Sequence, residues 1–245
     1  MSIVLHQFNY SHFNEKARWG LASKGVEHNR LSYLPGPHAP AMEKLSGTSQ
    51  TPVLEWEGDV CAGSTAILRL LEERCEGSPL FPDDAAALSE VDDLIRYFDD
   101  EVGPATRTLL FSVLVHHGAY MAGMFARDKS SLKRFAYRWT FPLVRPLIAK
   151  QYGLNAENLT RCRKVVDEAL DLVVEKTADT GFLVGDSFTA ADLTAAALLA
   201  PLVDLDHEDM ARPRPVPADM ASLQAEFADH AGVAWVNKVY AEHRP

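Results

Sequence analysis

Apolar and polar positions along this chain follow two different periods. Up to Cys75, short apolar runs of strand length alternate with helix-spaced segments; beyond Asp84 the spacing is helical to the end. Ile3-Val4-Leu5 reads as a short strand and His6–Ser11 as a polar, aromatic loop. Glu15–Lys24 reads as a helix, with Ala17, Leu21 and Ala22 at helical spacing until Gly25 stops it. Val26–Tyr33 predicts a second strand, Pro35–Pro40 is too proline-rich for regular structure, and Met42–Leu45 predicts a brief helix. Pro52–Trp56 then predicts a strand, Glu57-Gly58-Asp59 a tight turn, Val60-Cys61-Ala62 a further strand, and Gly63-Ser64 the start of a helix through Leu71. A strand-helix-strand opening followed by a hairpin implies a parallel pair with an antiparallel edge, hence a small mixed sheet with helices on its faces.

Glu76–Asp84 is dense in turn formers and follows a complete supersecondary unit, so the expected division is an α/β domain over residues 1–76, a linker over 77–84 and an all-α domain over 85–245. In the second part, Ala85–Val102 carries Leu88, Val91, Leu94, Ile95 and Phe98 on one face, and Gly103-Pro104 kinks or ends that helix. Ala105–Ala126 is apolar around a His116-His117 pair, Lys129–Arg145 is basic and aromatic, and Asn158–Thr177 is amphipathic. Thr189 with Asp192 three residues on predicts a capping box, with Phe188 stapling onto Leu193; the helix Leu193–Leu202 is apolar nearly all round and is expected at the domain's centre. Arg212–Pro217 is a loop, and Ala218–His243 one or two helices.

The composition, 47% hydrophobic and 24% charged over 245 residues, is that of an ordinary globular chain. The richest apolar stretch, Ala190–Val203, contains Asp192 and is too short to cross a membrane, and the start MSIVLHQF shows no signal-peptide pattern. The net charge of −10 argues against broad nucleic-acid binding, and the three cysteines, Cys61, Cys75 and Cys162, have no metal-ligand spacing. A cytoplasmic protein without a disulfide framework or a metal is expected.

The chemistry concentrates at the two ends of the Thr48–Leu71 stretch. Pro52 cannot donate to a sheet ladder, which leaves the backbone of Gln50-Thr51 free for another partner. Ser64 stands at a helix start, where unpaired N–H groups and the helix dipole receive anions. A small carboxylate-bearing ligand suits the pair.

Taken in order, the amino-terminal strand-helix, the TPVL turn from Thr51, the GSTAI helix start from Gly63 and the GDSFTAADL segment from Gly185 resemble a cytosolic glutathione transferase of bacterial type over most of the chain. The resemblance implies a thioredoxin-like first domain, an all-helical second domain, a homodimer, and glutathione as co-substrate held mainly by the first domain. It makes Pro52 a cis-proline, sets the main chain of Thr51 against the cysteinyl part of glutathione, and gives the γ-glutamyl carboxylate to Ser64, assisted by Thr65. The family usually has an acid just before that serine, where this chain has Gly63. His38, Lys44 and Gln50 are candidates for the glycine carboxylate.

Tyr10-Ser11-His12-Phe13-Asn14-Glu15-Lys16-Ala17-Arg18 resembles the family's S/C-P-x-C/S-x-K-x-R helix entry. Ser11 is then the first choice for stabilising the glutathione thiolate, Tyr10 the second, and Asn14 sits at the second Cys or Ser position. The absence of cysteine there points to a Ser or Tyr type rather than the disulfide-exchanging branch. The electrophile would lie against the Tyr97–Tyr120 stretch, with Phe111, His116 and Tyr120 as pocket residues.

The expected activity is glutathione transfer to a small, largely apolar electrophile in detoxification. The alternative is an inactive binding or scaffold protein of the same family working through protein contacts; dehalogenase, isomerase or lyase chemistry on the same scaffold is not separable from transfer. Adjacent His116 and His117 point apart on a helix and suit a pocket lining better than a metal. For Lys129–Arg145 the default is a solvated basic face with its aromatics packed inward, against an anionic substrate, a membrane surface or another subunit.

Overall fold

The computed structural model describes residues 3–245. Its first part follows the order β1 (Ile3–Phe8), α1 (His12–Ser23), β2 (Asn29–Tyr33), α2 (Ala39–Ser46), β3 (Val53–Trp56), β4 (Asp59–Ala62) and α3 (Ser64–Arg74). The sheet runs β2-β1-β3-β4, with β1 and β2 parallel and the other pairs antiparallel. This is the expected thioredoxin-like mixed sheet. β1 extends to Phe8 and β2 begins only at Asn29, because Val26 is still tied to the end of α1 by its N–H to Leu21. The hairpin turn is two residues, Glu57 and Gly58, both at positive φ (56° and 98°), as a type I′ turn matched to strand twist requires.

α1 determines how the rest assembles. Every residue from Asn14 to Leu21 is buried, because α3 packs on one side of the helix, α9 on another, and the chain's carboxyl end covers its outer turn. Gly20 is the close point: a Cβ there would stand 2.2 Å from Leu68 of α3. Four of the buried residues are polar, so each must find a partner. Glu15 accepts from Arg18 Nε at 2.9 Å and from Arg244 Nε at 2.7 Å. Arg18 also donates to Gln7 Oε1 at 2.8 Å and lies 3.5 Å from Asp209, which is shared with Arg30 and Arg244. The three arginines hold the Asp209 carboxyl below its usual range despite burial. Lys16 Nζ donates to both oxygens of Asp99 (2.7 and 2.8 Å) and to Thr65 Oγ1 (2.6 Å); burial still pulls its pKa down to about 8.

The second part is helical: α4 (Ala85–Tyr97), a π-helical turn (Phe98–Val102), α5 (Gly103–Leu114), α6 (Gly118–Phe125), α7 (Ser131–Gln151), α8 (Ala156–Thr177), α9 (Ala190–Leu199), α10 (Ala218–Ala225) and α11 (Ala231–His243). Gly103-Pro104 does not end the first helix. The π turn inserts one residue, Gly103 bonds back to Phe98, and the helical backbone continues through Val102 and Gly103 into α5 with Pro104 just after the widened turn. The expected Ala105–Ala126 helix is broken at His116-His117, with His117 closing onto Asp219 at 2.8 Å.

α9 is buried along its whole length and opens with the predicted capping box. Thr189 Oγ1 accepts from the Ala191 N–H, while Asp192 takes the Thr189 N–H at 2.8 Å, the Thr189 hydroxyl at 2.9 Å and the Leu183 N–H at 2.7 Å. Burial nevertheless raises the Asp192 carboxyl from 3.8 to about 6. The Phe188 ring, just before the cap, stacks on His243 at 4.6 Å and on Trp19 at 5.8 Å, drawing the cap toward α11 and α1.

Two outcomes follow from these buried charges. Asp192→Ala strands two backbone donors and a hydroxyl, and denaturant unfolding should show a loss of about 3 kcal/mol. Asp192→Asn should lose less, and its deficit should narrow as the pH rises from about 4 to about 6, because a carboxyl whose folded pKa lies above its unfolded one loses stability across that window. Lys16→Met leaves Asp99 without its cation and should cost about 2–3 kcal/mol, most of which the double variant Lys16→Met/Asp99→Leu should recover.

Candidate active site

The N-termini of α1 and α3 and the turn before β3 meet at one end of the sheet. Ser11 caps α1 from an extended conformation, its Oγ accepting from the Asn14 N–H at 3.4 Å, a long bond that leaves the hydroxyl proton free to donate elsewhere. Asn14 is fully buried, and its Nδ2 donates to Thr51 Oγ1 at 3.1 Å, tying α1 to the turn. The Asn14 carbonyl oxygen has no partner among the described residues.

Thr51-Pro52 is a cis peptide bond. The β1–β3 register begins at Val53, so Thr51 lies just outside the ladder, while the Pro52 carbonyl accepts from the Gly63 N–H at 2.9 Å. That bond sets the entry to α3 beside the cis turn. Gly63 is the N-cap at φ 97°, a conformation that favours glycine, and it offers no side chain to the first N–H groups of α3. Ser64 is buried at the first position of α3. Thr65 is half-buried, and its hydroxyl is engaged on both sides, accepting from Lys16 and donating to Asp99 Oδ2 at 2.5 Å.

Ser11, Asn14, Thr51, Pro52, Ser64 and Thr65 are therefore connected through hydrogen bonds or neighbouring helix starts. Tyr10 is not part of this set. It is buried, its hydroxyl accepts from Arg212 Nε at 2.8 Å, and burial raises its pKa. His38 precedes α2, accepts the Gly36 N–H on Nδ1 at 3.1 Å, and has its ring edge-on to Phe8 at 4.6 Å; burial lowers its pKa. Gln50 and Lys44 are exposed, and the Gln50 N–H turns back to Thr48 Oγ1.

The expected pocket trio separates. Phe111 lies in the core, stacked on Tyr152 at 4.8 Å. Tyr120 is half-buried near Tyr10 and Arg212. His116 is exposed on a cleft of about 460 Å3 between the α5–α6 corner and α7. Closer to the start of α1 stand residues that spacing did not single out. His12 donates Nε2–H to the Gly103 carbonyl at 3.0 Å, and burial, with Arg107 nearby, lowers its pKa to about 3, so the ring is neutral. The Arg107 guanidinium lies 5.9 Å from the Phe13 ring and 5.1 Å from the Tyr152 ring, and has no carboxylate partner among the described residues. Arg107 could have been suspected only as a charged residue inside an otherwise apolar helical stretch, and Asp99 not at all within its acidic run.

A profile described as "Glutathione S-transferase, N-terminal domain" matches residues 5–79. No curated protein sequence matches the chain. Among solved structures, a glutathione S-transferase from Xanthobacter autotrophicus Py2 superposes with a TM-score of 0.65 at 18% identity, covering 100% of this chain and 95% of that one. A glutathione S-transferase from Methylobacillus flagellatus KT with glutathione bound gives 0.63 at 15% identity, covering 98% and 95%. The β-etherase LigF from Sphingobium sp. strain SYK-6 gives 0.61 at 18% identity, covering 97% and 99%. Residues 5–79 thus belong to the glutathione S-transferase N-terminal domain family, and the chain as a whole has the glutathione S-transferase fold.

Proposed function

We propose that this protein is a glutathione transferase that binds glutathione between the starts of α1 and α3, within residues 1–76, and transfers it to a small, largely apolar electrophile lodged against the helices of residues 85–245. The observation that carries this reading is the meeting of two helix N-termini at the Thr51-Pro52 turn, which Asn14 of α1 holds through Thr51 and Gly63 at the entry to α3 holds through Pro52. Thr51 lies just outside the β1–β3 ladder, so its backbone groups are not used by that pairing, and it stands beside two helix N-termini. The glutathione backbone pairs with Thr51. Its γ-glutamyl carboxylate meets the uncapped N–H groups of α3 and the Ser64 hydroxyl, with Thr65 contributing its N–H because its hydroxyl is spent on Asp99. The glycine carboxylate faces the α2 side, where His38, Lys44 and Gln50 are available.

Ser11 does the chemistry of activation. Its hydroxyl donates to the thiolate, which with the positive end of α1 favours loss of the thiol proton to solvent. The sulfur then attacks the electrophilic carbon, a C–S bond forms, and the leaving group departs with its electron pair. Asn14 positions Thr51, and Tyr10 is structural. Phe13, Tyr152 and the unpaired Arg107 form the wall the electrophile meets, in place of the Phe111, His116 and Tyr120 set. The protein works as a cytoplasmic homodimer.

One observation favours a second reading, an inactive binding protein acting through protein contacts: Gly63 stands where the family's acid would meet the glutathione amino group, and Asp99, the acid bonded to Thr65, is already held by Lys16. Retention on immobilised glutathione and thiolate absorbance of the bound thiol separate the two. The transferase reading expects binding at millimolar glutathione or better. Ser11→Ala should then raise the bound thiol's pKa by about 1–2 units, with a fall in kcat/KM of about tenfold or more, while Tyr10→Phe leaves the thiol pKa unchanged. Absence of binding at millimolar glutathione sinks the transferase reading and leaves the binding protein.

A further inference from the structure

α7 inverts the usual arrangement of a surface helix. Its inner face is Tyr137, Phe141, Val144 and Ile148, seated on α6, where a Cβ on Gly118 would stand 3.0 Å from Phe141, and on the first domain, where the Tyr137 hydroxyl reaches the Pro35 carbonyl at 3.4 Å. Its outer face is also apolar. Leu132, Phe135, Trp139, Leu143 and Leu147 are 77%, 59%, 62%, 79% and 67% exposed. At about 100° per residue these five fall on one stripe along the outside of the helix. Two of the aromatics expected to pack inward thus point to solvent. A contiguous apolar stripe of this kind marks a contact surface.

The charges say what it contacts. α7 holds Lys133, Arg134, Arg138, Arg145 and Lys150 and no acid, in a chain of net charge −10. None of the five pairs with a carboxylate among the described residues, although most arginines elsewhere do. Arg134, Arg138 and Arg145 share the flank beside the stripe. Arg138 and Arg145 line the 460 Å3 cleft with His116, His117, Trp139 and Pro142, so a basic recess opens directly beside the exposed indole. A contact pairing α7 with α7 of a second copy would bring two all-basic helices together.

We propose that α7 is a docking helix for anionic phospholipid bilayers, lying in the interface with Leu132, Phe135, Trp139, Leu143 and Leu147 toward the acyl chains and a headgroup phosphate in the Arg138–Arg145 recess. The acidic remainder of the chain is repelled by the same surface, which fixes the orientation. This does not depend on the glutathione site.

The test is sedimentation of the full chain with phosphatidylglycerol-containing vesicles against pure phosphatidylcholine vesicles, with Trp fluorescence recorded alongside. The expected result is binding to the anionic vesicles alone, weakened by salt, with a blue-shifted emission that disappears in Trp139→Phe while binding persists. Arg138→Gln/Arg145→Gln should bind roughly thirtyfold more weakly, about fivefold per guanidinium removed, and Phe135→Ser/Leu143→Ser should lose binding. These side chains are at the surface, so unfolding curves of both variants should match the parent. The proposal is overturned if the anionic vesicles do not bind at low salt, or if both double variants bind like the parent. It is equally overturned if Phe135→Ser/Leu143→Ser instead halves the protein's mass in sedimentation velocity with no lipid binding in the parent, which would assign the stripe to a second copy.

Discussion

The structure depends on the need to satisfy the charges buried with α1. A helix that buries Asn14, Glu15, Lys16 and Arg18 cannot fold on hydrophobic contact alone, since an unpaired buried ion costs several kcal/mol. Its partners come from almost every part of the chain: Gln7 on β1, Thr51 before β3, Thr65 on α3, Asp99 in the π turn, Asp209 beyond α9, and Arg244 at the carboxyl end. The two parts of the molecule are locked together by electrostatics as much as by packing. Losing one partner leaves another buried and unmatched, so the pairs act as a set rather than as separate bonds.

The same requirement shapes the candidate site. Lys16 and Arg18 lie in the basic part of the motif that resembles the family's helix entry, yet both are turned inward and serve the scaffold. What α1 leaves for a ligand is its N-terminus: the Ser11 hydroxyl, and Asn14 holding Thr51. Because Lys16 anchors the start of α3 through Thr65 and Asp99, the two helix N-termini are fixed relative to each other before any ligand arrives. That preorganisation lowers the entropic cost of binding any flexible ligand between them. It also explains why Asp99, though close to α3, is not a free acid for a ligand's amino group.

Features set by neighbours in sequence were legible. The strand and helix order, the turn at Glu57-Gly58 and the capping box at Thr189 and Asp192 each follow from residues within a few positions of one another, whereas the cis bond at Pro52 was expected from the family resemblance alone. Features set by distant partners were not. Nothing local distinguishes Asp99 from Asp100, although one is bound to Lys16 and the other is exposed. The π turn hides because the apolar spacing from Leu94 to Leu109 reads smoothly across it, and Gly103-Pro104 looks like a terminator when one inserted residue is enough to carry the helix past it. Nothing near Tyr10 in sequence announces that Arg212, two hundred and two positions away, donates to its hydroxyl.

α1 and α7 solve opposite problems, and the contrast bears on what α7 is for. α1 hides charge, and every hidden charge is matched inside the chain. α7 shows apolar surface on its outer face, and neither that surface nor its cations are matched inside the chain among the described residues. Internal packing does not require Trp139 or Leu143, because Tyr137 and Phe141 already seat the helix. Folding stability is therefore indifferent to the outer stripe, while solubility is harmed by it. A sequence free to vary there would accumulate polar residues, as most of the exposed positions in α8 have done. Five large apolar side chains in register, flanked by arginines with no carboxylate partner among the described residues, match a contact outside the chain that is both apolar and anionic, which the proposed bilayer of acidic phospholipids offers along a single surface.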